Sequence, residues 1–585
     1  MEWQLYNKPT FSSTIKQILF NRGIDVDDIE HYVNLTDEDI CSFDMLRRNH
    51  NLEKGAKAVF EAITKQKKTL VIVDSDCDGF TSAATLLNYL YDIAPVYVTS
   101  CVDCIFHEGK GHGLKEFVDL CTEYELVICP DSASNDYEEH KKLKDAGITV
   151  LVLDHHEADK VSEDAIIINN QLCNYPNKSL SGVGVTWQFC RYIDYINSTK
   201  YAYQYLDLVA LGNVGDMMDL RSPETRRLVT KGLDPQNIHN PFVHGMWQKN
   251  NFKLTDNPTA WGVTFFIVPM VNACNRYGTQ KEKETVFNAM LKYKAFEKVP
   301  SIKKGHKQGE METILEQALR IAINVKRHQD EAVKVNMEML EERIQDKKLL
   351  DNKVLLFLIE PNEIASGIAG LVANKMMGKY QRPCCVLTHD IKNDKYAGSA
   401  RGCDDIGIDN FKDMCKESGC CEYAEGHQSA FGVSVSASNI DNFITATNNM
   451  LKGMRTDPIY SVDYLWGENQ IDGQRILDIA DMSYLWGSNV PESLVGVESV
   501  TVTDKNVQIM GAKRDTLRVT LPNGACIIKF FATEDIINDF MVAPGQVKHI
   551  NVVGTCNKNI YNDNITPQII MKDYEIVKSS QGWIF

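Results

Sequence analysis

The sequence predicts an α/β protein with a parallel sheet, a second and smaller α/β unit, and a β-rich C-terminal unit. Three observations predict it. Apolar, β-branched runs recur between charged helical stretches in the first half of the chain. A charged stretch from 303 to about 350, with almost no Gly or Pro, is typical of a long helix. Short β-forming runs separated by turn residues follow position 456.

Three carboxylates follow the first predicted strand. The run Thr69-Leu-Val-Ile-Val73 has the composition of a buried parallel strand and leads into Asp74-Ser-Asp76-Cys-Asp78-Gly79. Open α/β sheets bind ligands at the carboxyl ends of their strands. Because crowded acids repel one another strongly unless cations lie among them, the run predicts a divalent-metal site.

An EF-hand calcium loop begins with the same D-x-D-x-D-G pattern and is excluded here. Such a loop needs a bidentate Glu at its twelfth position, and counting from Asp74 that position is Thr85. An EF-hand loop also follows a helix, whereas this one follows a predicted strand. A solvated acidic loop without a metal is the remaining alternative.

Three more apolar runs lead to acids or histidines. Residues 125–129 precede Asp131, and residues 148–153 precede Asp154-His155-His156. Residues 206–211 are also interpreted as a strand, and they precede Asp216. We expect all these side chains at one edge of the sheet.

The predicted ligands are carboxylates with one or two imidazoles, which fits Mn²⁺ or Mg²⁺. There are enough acids for two ions with one bridging carboxylate, the arrangement that activates water for displacement at phosphorus. A zinc motif at Cys101, Cys104, His107 and His112 is a weaker alternative, because its spacing is short for a usual finger.

The second half of the chain predicts two further units. Strands at 354–359 and 383–387 flank a helix at 367–380, whose glycine-rich start has free N–H groups able to bind phosphate. After 456, β-runs at 497–503, 516–521, 525–531, 549–554 and 568–572 predict a small barrel. Its candidates for binding a single strand are Lys513, Arg514, Lys529, Phe530 and Phe531, with alternation placing one of the two phenylalanines inside.

The overall composition limits the class of protein that the chain can be. At 585 residues the chain has room for three or four domains. It has no apolar run long enough to span a membrane and no N-terminal signal pattern, and its 17 cysteines are expected as reduced thiols, so we expect a cytoplasmic protein. The net charge of −17 argues weakly against nucleic acid, since metal-binding acids contribute to it.

Together these motifs resemble the DHH phosphoesterases, named for a triplet like Asp154-His155-His156, and most closely the RecJ branch of single-strand-specific exonucleases. The resemblance is collinear over nearly the whole chain. It is carried by NQLCNYPNKSLSGVGVTWQFC at 170–190, LDLVALGNVGDMMD at 206–219, VNACNR at 271–276, GSAR at 398–401 and EGHQSAFG at 425–432. The last two resemble the associated second domain, called DHHA1.

The resemblance implies a domain order and roles for residues. The order is an N-terminal helical appendage at 1–55, a DHH domain at 56–300, a connecting helix at 301–350, a DHHA1 domain at 351–455 and an OB-fold-like domain at 456–585. The implied metal ligands are Asp74, Asp76, Asp78, Asp131, His155 and Asp216, with Asp131 bridging and Asp78 the least certain of the set. The implied catalytic residues are His156, Arg276, Arg401 and His427, and the implied substrate-binding residues are His112, Ser399, Gly426, Lys529 and Phe530.

Two of these roles have plainer alternatives, and four segments depart from the family pattern. His156 could only donate a structural hydrogen bond, and Arg401 could form a salt bridge between domains. Asp131 is followed by Ser-Ala where the family has Asn-Gly or Asn-His, and Cys274-Asn275 replaces Ala-Gly. The segment 364–370 lacks the family's Trp-His, and Glu425 replaces a glycine. These departures affect the detail of substrate binding more than the reaction.

The expected function is therefore a hydrolase. It is a metal-dependent exodeoxyribonuclease that degrades single-stranded DNA 5′ to 3′ to mononucleotides, as in DNA repair and recombination. The residues themselves argue for phosphoester hydrolysis; polarity, DNA preference and product come from the resemblance. Two alternatives stay open: a DHH phosphodiesterase acting on short oligonucleotides or cyclic dinucleotides, and a non-catalytic DNA-binding scaffold. We expect a monomer, with a helicase or single-strand-binding protein as a potential partner.

Overall fold

A computed structural model describes residues 2–107, 111–254, 257–403, 407–408, 410–453, 459–561 and 564–577. The N-terminal part contains one strand and three helices: β1 (Glu2–Leu5), α1 (Thr14–Asn21), α2 (Ile29–Val33) and α3 (Asn51–Lys65). Ser13 caps α1 by accepting from the backbone N–H of Lys16. The sequence suggested a helical appendage here. The structure differs, because this part also contains a strand, β1, which pairs with a strand of the C-terminal part.

The central sheet has five parallel strands in the order β3-β2-β4-β5-β6. Its elements are β2 (Thr69–Val73), α4 (Cys77–Ile93), α5 (Pro95–Cys101), β3 (Val102–Phe106), α6 (Val118–Cys121), β4 (Leu126–Pro130), α7 (Tyr137–Asp145), β5 (Thr149–Asp154) and β6 (Ile166–Asn169). Alternate residues of each strand enter different cores: Val71 and Val73 pack in one layer, Leu70 and Ile72 in the other. Both faces are covered, so the inner strands β2, β4 and β5 are buried along almost their whole length, whereas the edge strand β3 carries the exposed Asp103.

Eight helices follow the sheet. They are α8 (Gly182–Asn197), α9 (Leu206–Gly215), α10 (Pro223–Gly232), α11 (Pro241–Lys249), α12 (Asn251–Leu254), α13 (Ala260–Phe266), α14 (Val268–Tyr277) and α15 (Gln280–Met290). The prediction of a strand at 206–211 is therefore wrong. Residues 206–214 are all buried in α9, which packs against α4, α8 and α10. An apolar run that is buried on every side has no periodicity to separate helix from strand.

A long helix joins the two α/β units. A short hairpin, β7 (Lys298–Pro300) and β8 (Met311–Thr313), precedes α16 (Ile314–Asp346). The helix begins later than position 303 because Thr313 and Glu316 form a capping box there.

The second α/β unit has a mixed five-stranded sheet in the order β12-β13-β11-β10-β9. Strands β9 and β10 are parallel, and the other pairs are antiparallel. Its elements are β9 (Leu355–Ile359), α17 (Ser366–Tyr380), β10 (Cys384–Asp390), β11 (Lys395–Arg401), α18 (Phe411–Glu417), β12 (Cys421–Gly426), β13 (Ala430–Ser436) and α19 (Ile440–Met450).

The C-terminal unit is built on a seven-stranded sheet in the order β15-β16-β20-β21-β19-β18-β17. Its elements are β14 (Ile459–Val462), β15 (Tyr464–Gly467), α20 (Gly473–Asp481), β16 (Leu494–Val502), β17 (Val507–Met510), β18 (Thr516–Thr520), β19 (Cys526–Lys529), α21 (Glu534–Phe540), β20 (Lys548–Tyr561) and β21 (Asn564–Ile576). The fold class is confirmed: α/β units joined by a long helix, with an OB-type β region. In the part of the chain described, no helix is both long and apolar enough to cross a membrane.

A buried ion pair joins the N-terminal part of the chain to the C-terminal unit. Strand β1 pairs with β14 in parallel. Beside this pair, the Arg22 guanidinium donates two hydrogen bonds of 2.9 and 2.8 Å to the carboxylate of Asp463. Both side chains are almost fully buried, and Asn21 also donates to Asp463 at 2.8 Å.

We predict that Asp463→Ala destabilises the protein by about 3–5 kcal/mol, because it leaves a buried guanidinium without its partner. The midpoint of urea denaturation measures the change. The control is Asp481→Ala, which breaks an exposed pair with Lys558 and should cost no more than about 1 kcal/mol. Equal midpoints for the two variants would contradict this account of the junction.

Candidate metal centre and substrate cavity

The predicted ligands come from the ends of three strands and one helix. Asp74 follows β2, and Asp131 follows β4. The histidines follow β5, which ends at Asp154. Asp216 is the residue after helix α9. The sheet therefore brings these groups to one edge, although Asp216 reaches that edge from a helix rather than from a strand.

Three overlapping groups of possible ligands form at this edge. Within each group the ligand atoms all lie within 4.8 Å of one another. The groups are Asp74, Asp76 and Asp131; Asp78, His155 and Asp216; and Asp131, His155 and His156. Because Asp131 and His155 each belong to two groups, the arrangement suits two neighbouring cations that share Asp131.

Unsatisfied buried atoms support a cation in this position. Oδ1 of Asp131 and Nε2 of His155 are buried, lie 3.3 Å apart and lack hydrogen-bond geometry with any group in the described residues. Burial, followed by the nearby charges of Asp78 and Asp76, raises the pKa of Asp131 well above its usual range. The same causes raise the pKa of Asp216 to about 8. A divalent ion relieves such repulsion, so these residues fit the metal that their chemistry implies.

His155 has the protonation state that a ligand needs. Its burial, and then the charge of His156, lower its pKa to about 4. The ring is therefore neutral near pH 7 and keeps a lone pair for a metal.

Asp76 and Asp78 are also held by backbone N–H groups. Asp76 caps α4 and accepts from the N–H of Gly79 at 2.9 Å. Asp78 lies in the first turn of α4, and its carboxylate accepts from Gly182 at 2.6 Å and Val183 at 3.2 Å, the first residues of α8. The helix terminus stabilises the Asp78 carboxylate where it faces His155, with Nε2 3.9 Å from Oδ2.

Asp154 orients the histidines and is a functional residue that sequence reasoning left out of the site. Its carboxylate accepts from the backbone N–H of His155 at 2.7 Å and from Nδ1 of His156 at 2.7 Å. Burial alone would raise the pKa of Asp154. The hydrogen bond from His156 outweighs burial and holds that pKa well below its usual range. Likewise Asp154 outweighs burial and raises the pKa of His156 to about 9. The sequence feature that could have identified Asp154 is its place at the end of a strand, directly before two histidines.

His112 lies beside the metal centre. Its Nδ1 donates to Oδ1 of Asp74 at 3.0 Å, and its ring meets that of His156 edge-on at 4.9 Å between centroids. Burial opposes its protonation, but the Asp74 carboxylate outweighs burial and raises the pKa of His112. Glu108, Gly109 and Lys110 of the same glycine-rich segment lie outside the described residues.

A cavity of 880 Å³ gathers five of the other predicted residues from both α/β units. Arg276, Ser399, Arg401, Gly426 and His427 all line it. Both guanidinium groups line the same cavity, and burial, followed by the charge of Arg276, lowers the pKa of Arg401. Arg401 has no carboxylate within 4 Å among the described residues, so the alternative of a domain-interface salt bridge finds no support there. Two neighbouring cations of this kind form a site for an anion such as phosphate.

The cavity adjoins the metal centre. Burial and Asp74 raise the pKa of Asp76, and the charge of Arg276 opposes that rise, so the guanidinium is within electrostatic reach of the acids. Gly367 in α17 packs directly on the carbonyl of Arg276, where a Cβ would not fit. This contact between α17 and α14 sets the position of the second unit over the first.

The structure does not bring the C-terminal candidates to this cavity. Lys529 donates to the carbonyls of Met571 and Lys572 at 3.3 and 3.1 Å. Phe530 and Phe531 are 49% and 84% exposed, so the expectation that one of them fills the barrel interior is wrong. Strand β19 ends at Lys529, and Phe531 has a left-handed φ of 54°, so alternation stops before both rings. They are exposed aromatics on a separate surface.

The alternative zinc site is not assembled either. Nδ1 of His107 bonds to Glu116 at 2.9 Å, and the thiol of Cys101 donates to Gln66. None of the possible ligand groups in the described part of the chain contains Cys101, Cys104 or His107.

Known proteins share this fold and these motifs. A family model described as the DHH family, N-terminal domain, matches residues 68–213. The chain is 32% identical over 587 residues to a putative SPbeta prophage-derived single-strand DNA-specific exonuclease, YorK, of Bacillus subtilis, with 99% of each chain covered. It is 24% identical to the single-stranded-DNA-specific exonuclease RecJ of Bacillus subtilis, over 97% of this chain and 68% of that one. The crystal structure of RecJ in complex with Mn²⁺ from Thermus thermophilus matches 100% of this chain and 81% of its own, with a TM-score of 0.71 at 17% identity.

The fold and the clustered acids define a metal-dependent phosphoesterase, and the extent of the match to YorK defines its branch. The chain belongs to the DHH family, among the RecJ-like single-strand DNA-specific exonucleases.

We predict that Gly182→Ala weakens Mn²⁺ binding roughly 10- to 100-fold, the usual cost of disturbing a group that positions a ligand. A Cβ at position 182 would lie 2.6 Å from Cβ of Asp131 and would displace its carboxylate. Isothermal titration with Mn²⁺ measures the effect. The control is Gly378→Ala in α17, where a Cβ meets nothing within 4 Å. Unchanged Mn²⁺ affinity in Gly182→Ala would refute the placement of Asp131.

Proposed function

We propose that this protein is a divalent-metal-dependent exodeoxyribonuclease that hydrolyses single-stranded DNA 5′ to 3′ to mononucleotides. The proposal rests on one arrangement. Asp131 and His155 each belong to two of the overlapping groups of possible metal ligands, and the cavity beside these groups is lined by two guanidinium groups. The single-strand preference is supported by the similarity to YorK and RecJ, which are named as single-strand-DNA-specific exonucleases. Polarity and product follow the family resemblance.

The residues that would hold the ions are Asp74, Asp76, Asp78, Asp131, His155 and Asp216. When bound, Mn²⁺ or Mg²⁺ supplies the Lewis acidity that activates water and offsets charge during in-line displacement at phosphorus. Asp154 keeps His156 oriented and protonated at the edge of the site, where the imidazolium can donate to a phosphate oxygen. His112, in contact with His156, restrains Asp74.

The cavity residues position the substrate. Arg276 and Arg401 would bind non-bridging phosphate oxygens, since their N–H groups are fixed forks and the described residues offer them no neutralising carboxylate. Gly370 in α17 leaves the room that the Arg401 guanidinium occupies, because a Cβ there would lie 2.5 Å from Nη2. His427 and Ser399 complete the cavity from the second unit, and Gly426, with φ of 126°, lets β12 turn toward β13.

We extend the proposal to organisation and context. The functional units are the segments 1–55, 56–300, 301–350, 351–455 and 456–585, with Lys529 and Phe530 as an outer contact for the strand. The protein acts as a monomer, because one chain supplies every residue of the centre. A helicase or single-strand-binding protein presents the DNA, which suits a chain of net charge −17. Seventeen free thiols support a cytoplasmic location.

We predict that Asp131→Asn abolishes Mn²⁺-dependent cleavage and leaves the fold intact. Asn keeps the shape and tolerates the left-handed φ of 64° at this position, but it removes the shared negative charge. The assay compares a long single strand labelled at its 5′ end, a duplex and a cyclic dinucleotide. In the native protein the 5′ label should appear first, as a mononucleotide from the single strand.

The control for this prediction is Asp145→Asn, an exposed carboxylate at the end of α7, which should keep full activity. If Asp131→Asn retained Mn²⁺-dependent cleavage, the assignment of the metal centre would be wrong. Cleavage of the cyclic dinucleotide alone would favour the small phosphodiesterase, and binding without cleavage would favour the scaffold.

We predict that Arg401→Gln lowers kcat/KM on the single strand about 10- to 100-fold, the value of losing a hydrogen bond to a charged group. Its Mn²⁺ affinity should stay unchanged, since Arg401 belongs to the cavity and not to the ligand groups. Steady-state kinetics and Mn²⁺ titration separate the two effects. Lys392→Gln, an exposed cation in the same unit, serves as the matched control; an equal loss there would show a general charge effect.

A further inference from the structure

A second cavity, of 310 Å³, lies where three parts of the chain meet and is separate in its lining from the substrate cavity. Helix α10 contributes Arg226, Val229 and Thr230. The segment 257–260 before α13 forms another wall, and Tyr484, beyond α20, forms a third. None of these residues has a part in the proposed reaction.

Within the part of the chain that the structure describes, Arg226 is a buried cation without a counter-charge. Its side chain belongs to a residue that is only 3% exposed. Nη1 donates to the hydroxyl of Tyr32 at 3.1 Å and to the carbonyl of Leu485 at 3.2 Å. Among the described residues, no carboxylate lies within 4 Å of the guanidinium, and Nε and Nη2 have no hydrogen-bond partner. By contrast, the other buried arginine of this junction, Arg22, is matched by Asp463.

The guanidinium lies over the Tyr32 ring, with Cζ 4.5 Å from the ring centroid, which offsets part of the cost of burial. A buried charge without a counter-ion is still costly, and arginine cannot avoid the cost by losing its proton. Burial does lower the pKa of Arg226. The Nε and Nη2 atoms form the side of the guanidinium that binds a carboxylate or phosphate through two parallel hydrogen bonds. Since Arg226 lines the cavity and the described residues leave these two donors free, an oxyanion in the cavity is the partner that the charge lacks.

The other residues that line the cavity indicate the chemistry of the rest of the ligand. Leu220, Val229, Leu233 and Pro258 are apolar, and the half-exposed ring of Tyr484 offers a surface for stacking. Asp234 also lines the cavity, but its carboxylate caps the following turn by accepting from Gln236 at 2.9 Å. A neutral, planar group is expected beside Asp234, with the charged group at Arg226.

We propose that this cavity binds a small organic anion, whose oxyanion group pairs with Arg226 and whose planar body lies against Tyr484 and the apolar wall. Both a phosphate monoester and a carboxylate have this chemistry. Arg226 joins Tyr32 of the N-terminal part to Leu485 of the C-terminal part, so a ligand there also stabilises the junction. The inference does not rest on the proposed nuclease activity.

The test measures binding in EDTA, so that cleavage plays no part. It uses the full chain carrying Arg401→Gln, which is expected to weaken binding of nucleotides in the substrate cavity. Isothermal titration and thermal melting are run with thymidine 5′-monophosphate, benzoate, thymidine and inorganic phosphate. We expect one of the first two to bind and raise the melting temperature. Thymidine, which lacks the anion, and phosphate, which lacks the planar body, should bind at least about tenfold more weakly.

Two variants and a control locate the binding. Arg226→Gln should weaken it at least about tenfold. Because that change also loosens the junction, Thr230→Phe is the second variant. Thr230 is an exposed residue of the cavity wall, and a larger side chain there reduces the cavity volume while Arg226 is kept. Arg227→Gln removes a neighbouring charge that pairs with Asp37 outside the cavity and should bind as before.

Each outcome bears on the proposal. Preferred binding of thymidine 5′-monophosphate identifies a phosphate monoester, and preferred binding of benzoate identifies a carboxylate; both support it. No binding by either, or unchanged binding in both Arg226→Gln and Thr230→Phe, overturns it. Phosphate that binds as tightly as the organic anions overturns the role given to Tyr484.

Discussion

Repulsion among buried carboxylates is the constraint on which this structure depends. Five aspartates, at 74, 76, 78, 131 and 216, crowd the carboxyl edge of the parallel sheet, joined by Asp154. The fold compensates several of them in different ways. Asp78 lies against the N-terminus of α8, Asp154 against three backbone N–H groups and His156, and Asp74 against His112. Burial still leaves Asp76, Asp78, Asp131 and Asp216 with raised pKa values, and a divalent ion relieves the mutual repulsion that adds to this effect at Asp131 and Asp216.

The glycines of the motifs follow from the same constraint. Backbone must come close to the acids for its N–H groups to reach them, and a Cβ would prevent this. Added at Gly79, it would lie 2.5 Å from Cβ of Asp74, and at Gly182 it would displace Asp131. Gly212 in α9 leaves room for the Asp78 carboxylate in the same way. Gly182 and Gly212 are thus packing requirements of the metal centre, whereas Gly184 and Gly215 make room for Leu180 and Cys77.

Sequence patterns predicted those parts that depend on local chemistry. The strands at 69–73, 126–130 and 149–154, and the acids that follow them, were predictable because buried parallel strands and their ligand edge both have strong signals. Residues 206–211 were assigned to the wrong element, because an apolar run that is buried on all sides has no periodicity. The burial of Arg226 and the exposure of Phe530 and Phe531 depend on contacts between distant segments, which no spacing in the sequence encodes.

The separation of charge between the sheet edge and the cavity explains why net charge is a poor guide to function here. The first unit concentrates acids at the sheet edge, and the cavity between the units holds Arg276 and Arg401 without carboxylate partners among the described residues. Gly367 sets the position of the second unit, and with it Arg401, by packing α17 directly on the Arg276 carbonyl. A rigid helix contact, rather than a loop, therefore sets the gap that a phosphodiester would span. A chain of net charge −17 can then bind a polyanion, since local fields within a Debye length outweigh the distant surface charge.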